Sequence, residues 1–188
     1  MVIAVVGAFL TSLTIAREWE RGTMEQLIST PVGKLEIQIG KLAPYFVIGM
    51  ADTAICAGTG VWWFGVPFRG SWTVLFACSM GFLVVVLSLG YYISVTAKSQ
   101  IGASQVALLA TFLPTFLLSG FIFPIDQMPD LVQWITRVLP ARYYVSILRD
   151  VFLKGTPVRL MTGELAALGI IAAALFVLST RAFHKSLE

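Results

Sequence analysis

G-S-W-T-V-L-F-A-C-S-M-G-F-L-V-V-V-L-S-L-G-Y-Y-I-S-V-T-A, Gly70 to Ala97, runs without a charged side chain. A helix rises about 1.5 Å per residue, so a bilayer core about 30 Å thick takes roughly 20 residues to cross, and this stretch exceeds that. Its neighbours repeat the pattern. Ser99 to Ile125 is also uncharged, and Leu42 to Phe68 is broken only by Asp52. Leu165 to Thr180 and Met1 to Ala16 are shorter uncharged runs, the first of which needs its flanks to snorkel. With 57% hydrophobic residues, 12% charged residues and a mean hydropathy of +0.86, the chain cannot be solvated as a soluble domain.

An all-α membrane protein follows, one domain over residues 1–188 with about five transmembrane helices near 1–16, 43–65, 72–95, 101–123 and 163–180. A secretory signal is disfavoured for the first, because no basic segment precedes it and no small-residue cleavage pattern comes before Arg17. Small residues such as Ala57-Gly58-Thr59-Gly60 and Gly102-Ala103-Ser104 permit close helix approach, and Pro114 is expected to kink its helix.

Between the first two runs lies a polar island, R-E-W-E-R-G-T-M-E-Q-L-I-S-T-P, Arg17 to Pro31. Placing 17–41 on the cytoplasmic side also puts Lys98, Arg181 and Lys185 there, seven basic residues against six on the other side, a weak positive-inside preference. Trp62, Trp63 and Trp72 around the Val66 to Ser71 turn have the character of an interfacial aromatic belt. Thr23 and Gln26 have capping-box spacing, so a short helix is expected from Met24 to near Pro31. Met24, Leu27 and Ile28 then share an apolar face, and Glu18, Glu20, Arg21 and Glu25 form a charged rim. That anatomy suits a protein contact; an amphipathic helix lying on lipid is the other reading, disfavoured by the mixed charge.

Pro124 to Glu164 carries two more helical patterns, split by Pro140. Leu131, Trp134, Ile135, Val138 and Leu139 recur at helical spacing after Pro129-Asp130, and Tyr144, Ile147, Leu148, Val151 and Phe152 repeat it before Gly155 and Pro157. Each is too short and too charged to span. They are expected in the interface, or dipping into it as a re-entrant pair over 124–162 that lies on the surface or gates a path.

Arg17 to Val32 resembles the E-R-E-x-G-T-x-E-x-L-x-x-T-P signature of the membrane subunits of type-two ATP-binding-cassette exporters. Further matches are G-K-L-A-P-Y at 40–45, L-S-G-F-I-F-P-I-D-Q-M-P at 118–129 and L-P-A-R-Y-Y at 139–144. The resemblance implies a bacterial inner-membrane, multi-pass permease that exports a drug, lipid or polysaccharide. It makes 17–41 the cytoplasmic coupling region that docks on a partner ATPase, which binds the ATP, so the permease carries no cofactor of its own. Glu18, Glu20, Gly22, Thr23, Glu25 and Leu27 become coupling residues by that likeness, beside Arg21, Met24 and Ile28. The 124–162 segment becomes an extracytoplasmic re-entrant gate with Pro124, Pro129, Trp134, Pro140, Tyr143 and Tyr144. A homodimer or heterodimer with a second permease, embedded in lipid, is implied as well. Members of the family carry an amphipathic helix and another span before this point, so truncation, or supply of that part by a separate chain, is expected.

Asp52 is the one ionisable residue deep in a span, where a charge costs about 2.5 to 3.5 kcal/mol. It is expected to face a polar cavity, to pair with a hydroxyl such as Thr53 or Thr59 of a neighbouring protomer, or to sit protonated. A proton-coupled secondary transporter using Asp52 is the first alternative function, and a truncated or accessory interaction subunit the second. No phosphate loop is present, His184 is the single histidine, and Cys56 and Cys78 lack metal-ligand spacing, so neither catalytic nor metal residues are expected. The basic residues are scattered, which disfavours nucleic acid.

Overall fold

The computed structural model describes residues 2–97 and 99–183, the side chains of Val2, Glu25 and Ile28 excepted. Every regular element among them is helical: α1 (Val2–Glu20), α2 (Thr23–Ile28), α3 (Lys34–Trp62), α4 (Trp72–Ala97), α5 (Gln100–Leu117), α6 (Asp130–Thr136), α7 (Pro140–Arg149) and α8 (Thr162–Ala182). A π-turn, Asp150–Lys154, continues α7. Four of these, α3, α4, α5 and α8, are long and apolar enough to cross a membrane.

The Gly70 to Ala97 run becomes α4, and its apolar character on every side explains its place. A helix without a polar face suits the bundle interior or lipid, and α4 is packed by α1, α3, α5, α7 and α8, leaving Met80 and Tyr92 exposed. Leu75, Phe82, Leu83, Val86, Leu87 and Tyr91 are buried along it. The crossing with α1 is set by Gly90, where a Cβ would sit 2.6 Å from the Ala8 carbonyl oxygen. Lipid supplies no hydrophobic drive for helix pairing, so a backbone-to-backbone approach of this kind is what holds α1 in place. Some polar residues facing the bundle find partners within their own helix or on a neighbouring one. Thr11 Oγ1 donates to the Gly7 carbonyl at 2.7 Å, and Tyr45 on α3 donates to Thr14 Oγ1 at 2.7 Å.

Several boundaries differ from the sequence expectation. The first helix continues through the charged residues to Glu20, and it ends where Gly22 takes φ +70°, a left-handed conformation suited to glycine. The next begins at Lys34 rather than near 43, its start fixed by the Gly33 N–H donating to Glu36 Oε2 at 2.9 Å. In the other direction, α5 stops at Leu117 instead of 123, because Gly120 turns to φ +82° just beyond it. The capping box does not form as spaced: α2 starts at Thr23 itself, whose hydroxyl reaches back to the Glu18 carbonyl at 3.2 Å. Thr53 and Thr59 spend their hydroxyls on carbonyls of their own helix, at Gly49 and at Ile55 and Cys56.

The connecting segments sort into two ends of the bundle. At one, the Gly70 N–H donates to the Val151 carbonyl at 2.8 Å, tying the 63–71 turn to the end of α7. At the other, the α1–α2 corner meets the starts of α3 and α5. This is the alternation of sides expected from the sequence; Lys98, His184 and Lys185 lie outside the described residues.

Candidate functional site

The polar island is built as a corner between α1 and α2, and its apolar face turns inward. Met24 is fully buried among Ile15, Ile37, Leu42, Tyr91, Val95 and Phe183, with Leu27 partly buried against the same cluster. The sequence placed Met24 at the greasy centre of an outward-facing knob; in the structure it is the anchor that seats the short helix. A six-residue helix has too few internal bonds to stand alone, so its geometry depends on this seat. Trp19 packs edge-on to Phe183 at 6.2 Å and completes the seat from the α1 side. What remains exposed is polar: Arg17, Glu20, Arg21, Thr23, Gln26 and Ser29. The side chains of Glu25 and Ile28 lie outside the described residues.

The rim charges are not free decoration. Glu18 pairs with Lys41 of α3, and Glu20 Oε1 accepts from the Gln100 backbone N–H at 2.6 Å. That N–H belongs to the first residue of α5, one of the donors a helix start leaves without an internal partner. A carboxylate there also meets the positive end of the helix dipole, worth about 0.3 to 1 kcal/mol at an exposed site. With the Gln100 amide oxygen turned toward it, Arg17 donates from Nε at 3.0 Å and Nη2 at 3.3 Å. The corner is therefore cross-linked to both α3 and α5. Sequence reasoning missed Lys41 and Gln100 as partners, since neither spacing nor composition links residues that far along the chain. Gln38, also missed, is buried and bridges to α8, donating to Ser179 Oγ at 2.7 Å and accepting from Thr180 Oγ1 at 2.5 Å. No signal marked it, since Lys34, Glu36 and Lys41 around it make 34–41 read as a solvated segment.

At the opposite end, the 118–161 segment forms two short helices that behave differently. On α6 and just beyond it, Leu131, Trp134, Ile135 and Val138 are all exposed, and the Arg137 guanidinium sits 4.2 Å over the Trp134 ring. By contrast α7 turns Tyr144, Ile147 and Val151 into the bundle. Tyr144 stacks on Phe82 at 4.2 Å and shares a 3.0 Å hydrogen bond with Ser79; burial pushes its phenol up to about 12, so it stays neutral. Tyr143 is partly buried against the same cluster, and its hydroxyl donates to the Arg137 carbonyl at 2.7 Å. Pro129 precedes α6 and Pro140 starts α7, where a missing N–H is harmless.

Pro124 lines a polar cavity of about 300 Å³ between this hairpin and α8, together with Asp126, Arg142, Arg149 and Glu164. Arg149 Nη2 donates to the Gly120 carbonyl at 2.5 Å, closing the 118–125 loop over it. Ser146 donates to Glu164 Oε1 at 2.7 Å, and the hydrogen bond from Lys154 to Asp150 holds that ammonium above its ordinary range. Arg142, Arg149 and Glu164 did not stand out in the sequence, because each lies within an amphipathic pattern that a solvated face explains equally well.

Asp52 is partly buried on α3, and the Cys56 thiol donates to its Oδ1 at 3.7 Å. It belongs neither to the corner nor to the cavity.

Residues 1–181 match the family model described as ABC-2 family transporter protein. The chain is 46% identical over 178 residues to an Escherichia coli (strain K12) protein named a probable multidrug ABC transporter permease, YbhS, covering 94% of this chain and 47% of that one. YbhR of the same organism, carrying the same description, is 30% identical over 175 residues, 91% and 46% of the two chains. The linearmycin resistance permease protein LnrN of Bacillus subtilis (strain 168) is 27% identical over 174 residues, 91% and 44%. The chain spans about half the length of the curated relatives it matches.

Proposed function

The chain belongs to the ABC-2 family of transporter proteins, and on that premise we propose that it forms the membrane part of an exporter driven by a separate ATPase. It is a multi-pass inner-membrane protein. In the proposed arrangement α1 is a fifth crossing beside α3, α4, α5 and α8, and α6 and α7 are the extracytoplasmic re-entrant pair. The partner binds and hydrolyses ATP, and two permeases, identical or different, enclose the path. The substrates are hydrophobic or amphipathic compounds of the drug, lipid or polysaccharide class, in line with relatives named for multidrug transport and for linearmycin resistance.

The observation that carries this reading is the α1–α2 corner. It offers a polar surface at one end of the bundle while its rim carboxylates are bound to α3 and α5. A partner that binds this surface differently in its two nucleotide states would shift the helices attached to it, and only such a difference does the shifting. Glu18 and Glu20 are then the links, Gly22 the hinge that sets the corner, Met24 and Leu27 the seat, and Arg21, Thr23, Glu25 and Ile28 the remaining coupling residues. Pro124, Pro129, Trp134, Pro140, Tyr143 and Tyr144 shape the outer gate.

The test is copurification of the ATPase with the permease, together with ATP hydrolysis by the complex. Arg21→Glu combined with Gln26→Lys changes only the exposed side of the corner and should remove most of the bound ATPase while leaving the melting temperature of the permease unchanged. Full retention of the ATPase by that variant would defeat the docking surface.

A further inference from the structure

An apolar groove of about 680 Å³ opens between the outer ends of α3 and α4, and neither the corner nor the polar cavity touches it. Ile55, Gly58, Thr59, Trp62, Trp72 and Phe76 line it. The Thr59 hydroxyl already donates to the carbonyls of its own helix, so it is not available to a ligand in the groove. Gly58 gives the groove its depth: a Cβ there would lie 3.1 Å from the Trp62 ring. The far wall is a ladder of rings, Phe68 stacked on Trp72 at 4.3 Å and Trp72 on Phe76 at 6.3 Å, with Trp62 tilted toward Trp72 at 6.5 Å. A volume of this size lined by aliphatic and aromatic side chains is the form of a small-molecule site.

Its position restricts the occupant. The tryptophans mark the membrane surface, so the groove lies at outer-leaflet depth with its long wall in hydrocarbon. At the same end, one residue beyond Phe68, stands Arg69. It is exposed and, among the described residues, has neither a hydrogen-bond nor an ion-pair partner. Arg69 follows the Phe68 that stacks on Trp72 of the groove wall, and an unpaired cation on that turn complements a molecule with one acidic head and an acyl chain.

We propose that this groove holds an acyl chain of an anionic phospholipid of the outer leaflet, with Arg69 binding its headgroup phosphate. Gly58 makes room for the chain, Trp62 and Trp72 flank it, and the Phe68–Trp72 stack fixes the turn that carries Arg69. Its placement in the outer leaflet rests on the orientation proposed above, whereas the groove and its cation do not depend on whether the bundle transports.

The test is tryptophan quenching by brominated lipid in vesicles containing the full chain in a dioleoyl-phosphatidylcholine background. Dibrominated phosphatidylglycerol or dibrominated phosphatidylcholine is added at equal mole fraction, and the Trp62→Phe/Trp72→Phe double variant identifies the signal from the groove. The groove signal should show a preference of about fivefold for phosphatidylglycerol, the size expected for one basic residue at a membrane surface. Arg69→Gln, in an exposed turn, should remove the preference and leave overall quenching in place; Gly58→Leu should reduce quenching by both lipids. Equal quenching by the two lipids in the unmodified chain, or a preference that survives Arg69→Gln, would overturn the proposal. Absence of quenching by either lipid would do so too, since the groove would then be covered by protein, such as a second copy.

Discussion

Gly90 and Gly60 are the same residue type in helices of the same bundle, yet they carry opposite consequences. At Gly90 a methyl group would have to occupy space held by the Ala8 carbonyl, 2.6 Å away, and backbone cannot yield as a side chain can. At Gly60 nothing lies within 4 Å. Gly90→Ala should therefore lower the melting temperature of the detergent-solubilised chain by several degrees, read by fluorescence-detected size exclusion after heating, whereas Gly60→Ala should leave it unchanged or slightly raise it, as expected for removing a flexible helical glycine. Equal behaviour of the two variants would show that the α1–α4 crossing is not held by close approach. The need for small residues was readable from the sequence; which of the glycines met backbone was not, because that depends on how two helices are rotated against each other.

At the scale of elements, α2 shows where periodicity is informative and where it stops. The spacing of Met24 and Leu27 marks one apolar face, and the short helix is where that spacing puts it. Whether such a face turns toward its own chain or away from it is set by what surrounds it in space. Here Ile15, Ile37, Tyr91 and Phe183, drawn from four separate stretches of sequence, close over Met24. Substituting this residue should act on folding first: Met24→Ala removes a fully buried side chain at a cost of about 2 kcal/mol or more, and it should shift thermal denaturation even in the absence of any ATPase. A loss of ATPase binding with no change in denaturation would instead make Met24 a direct contact. The two short helices α6 and α7 divide in the same way. Both helical patterns in 124–162 were legible, and so were their starts at Pro129-Asp130 and Pro140, but the burial of α7 against α4 and the exposure of α6 were not.

Over the whole molecule, hydropathy located α3, α4 and α8 well, since a run that must be apolar for 20 residues leaves a signal no loop can imitate. The ends were less legible, because Lys34, Glu36 and Lys41 continue α3 beyond the apolar run by capping and ion pairing rather than by hydrophobicity. Alternation of the ends predicts a labelling pattern. Single cysteines placed at Thr23 and at Ser71, in a background lacking Cys56 and Cys78, should react with a membrane-impermeant maleimide from opposite faces of sealed vesicles. Labelling of both from one face would refute the arrangement of the helices.

Gln38 has one further consequence, and it concerns the order in which the protein is made. Its side chain needs a donor and an acceptor at once, and both come from adjacent residues of α8, a helix synthesised well after α3. Until α8 inserts, the buried amide of Gln38 lacks both of these partners, and a slip of one residue would leave it half satisfied. The interaction that ties α3 to α8 at the charged end of α3 therefore also reports whether α8 has reached its register.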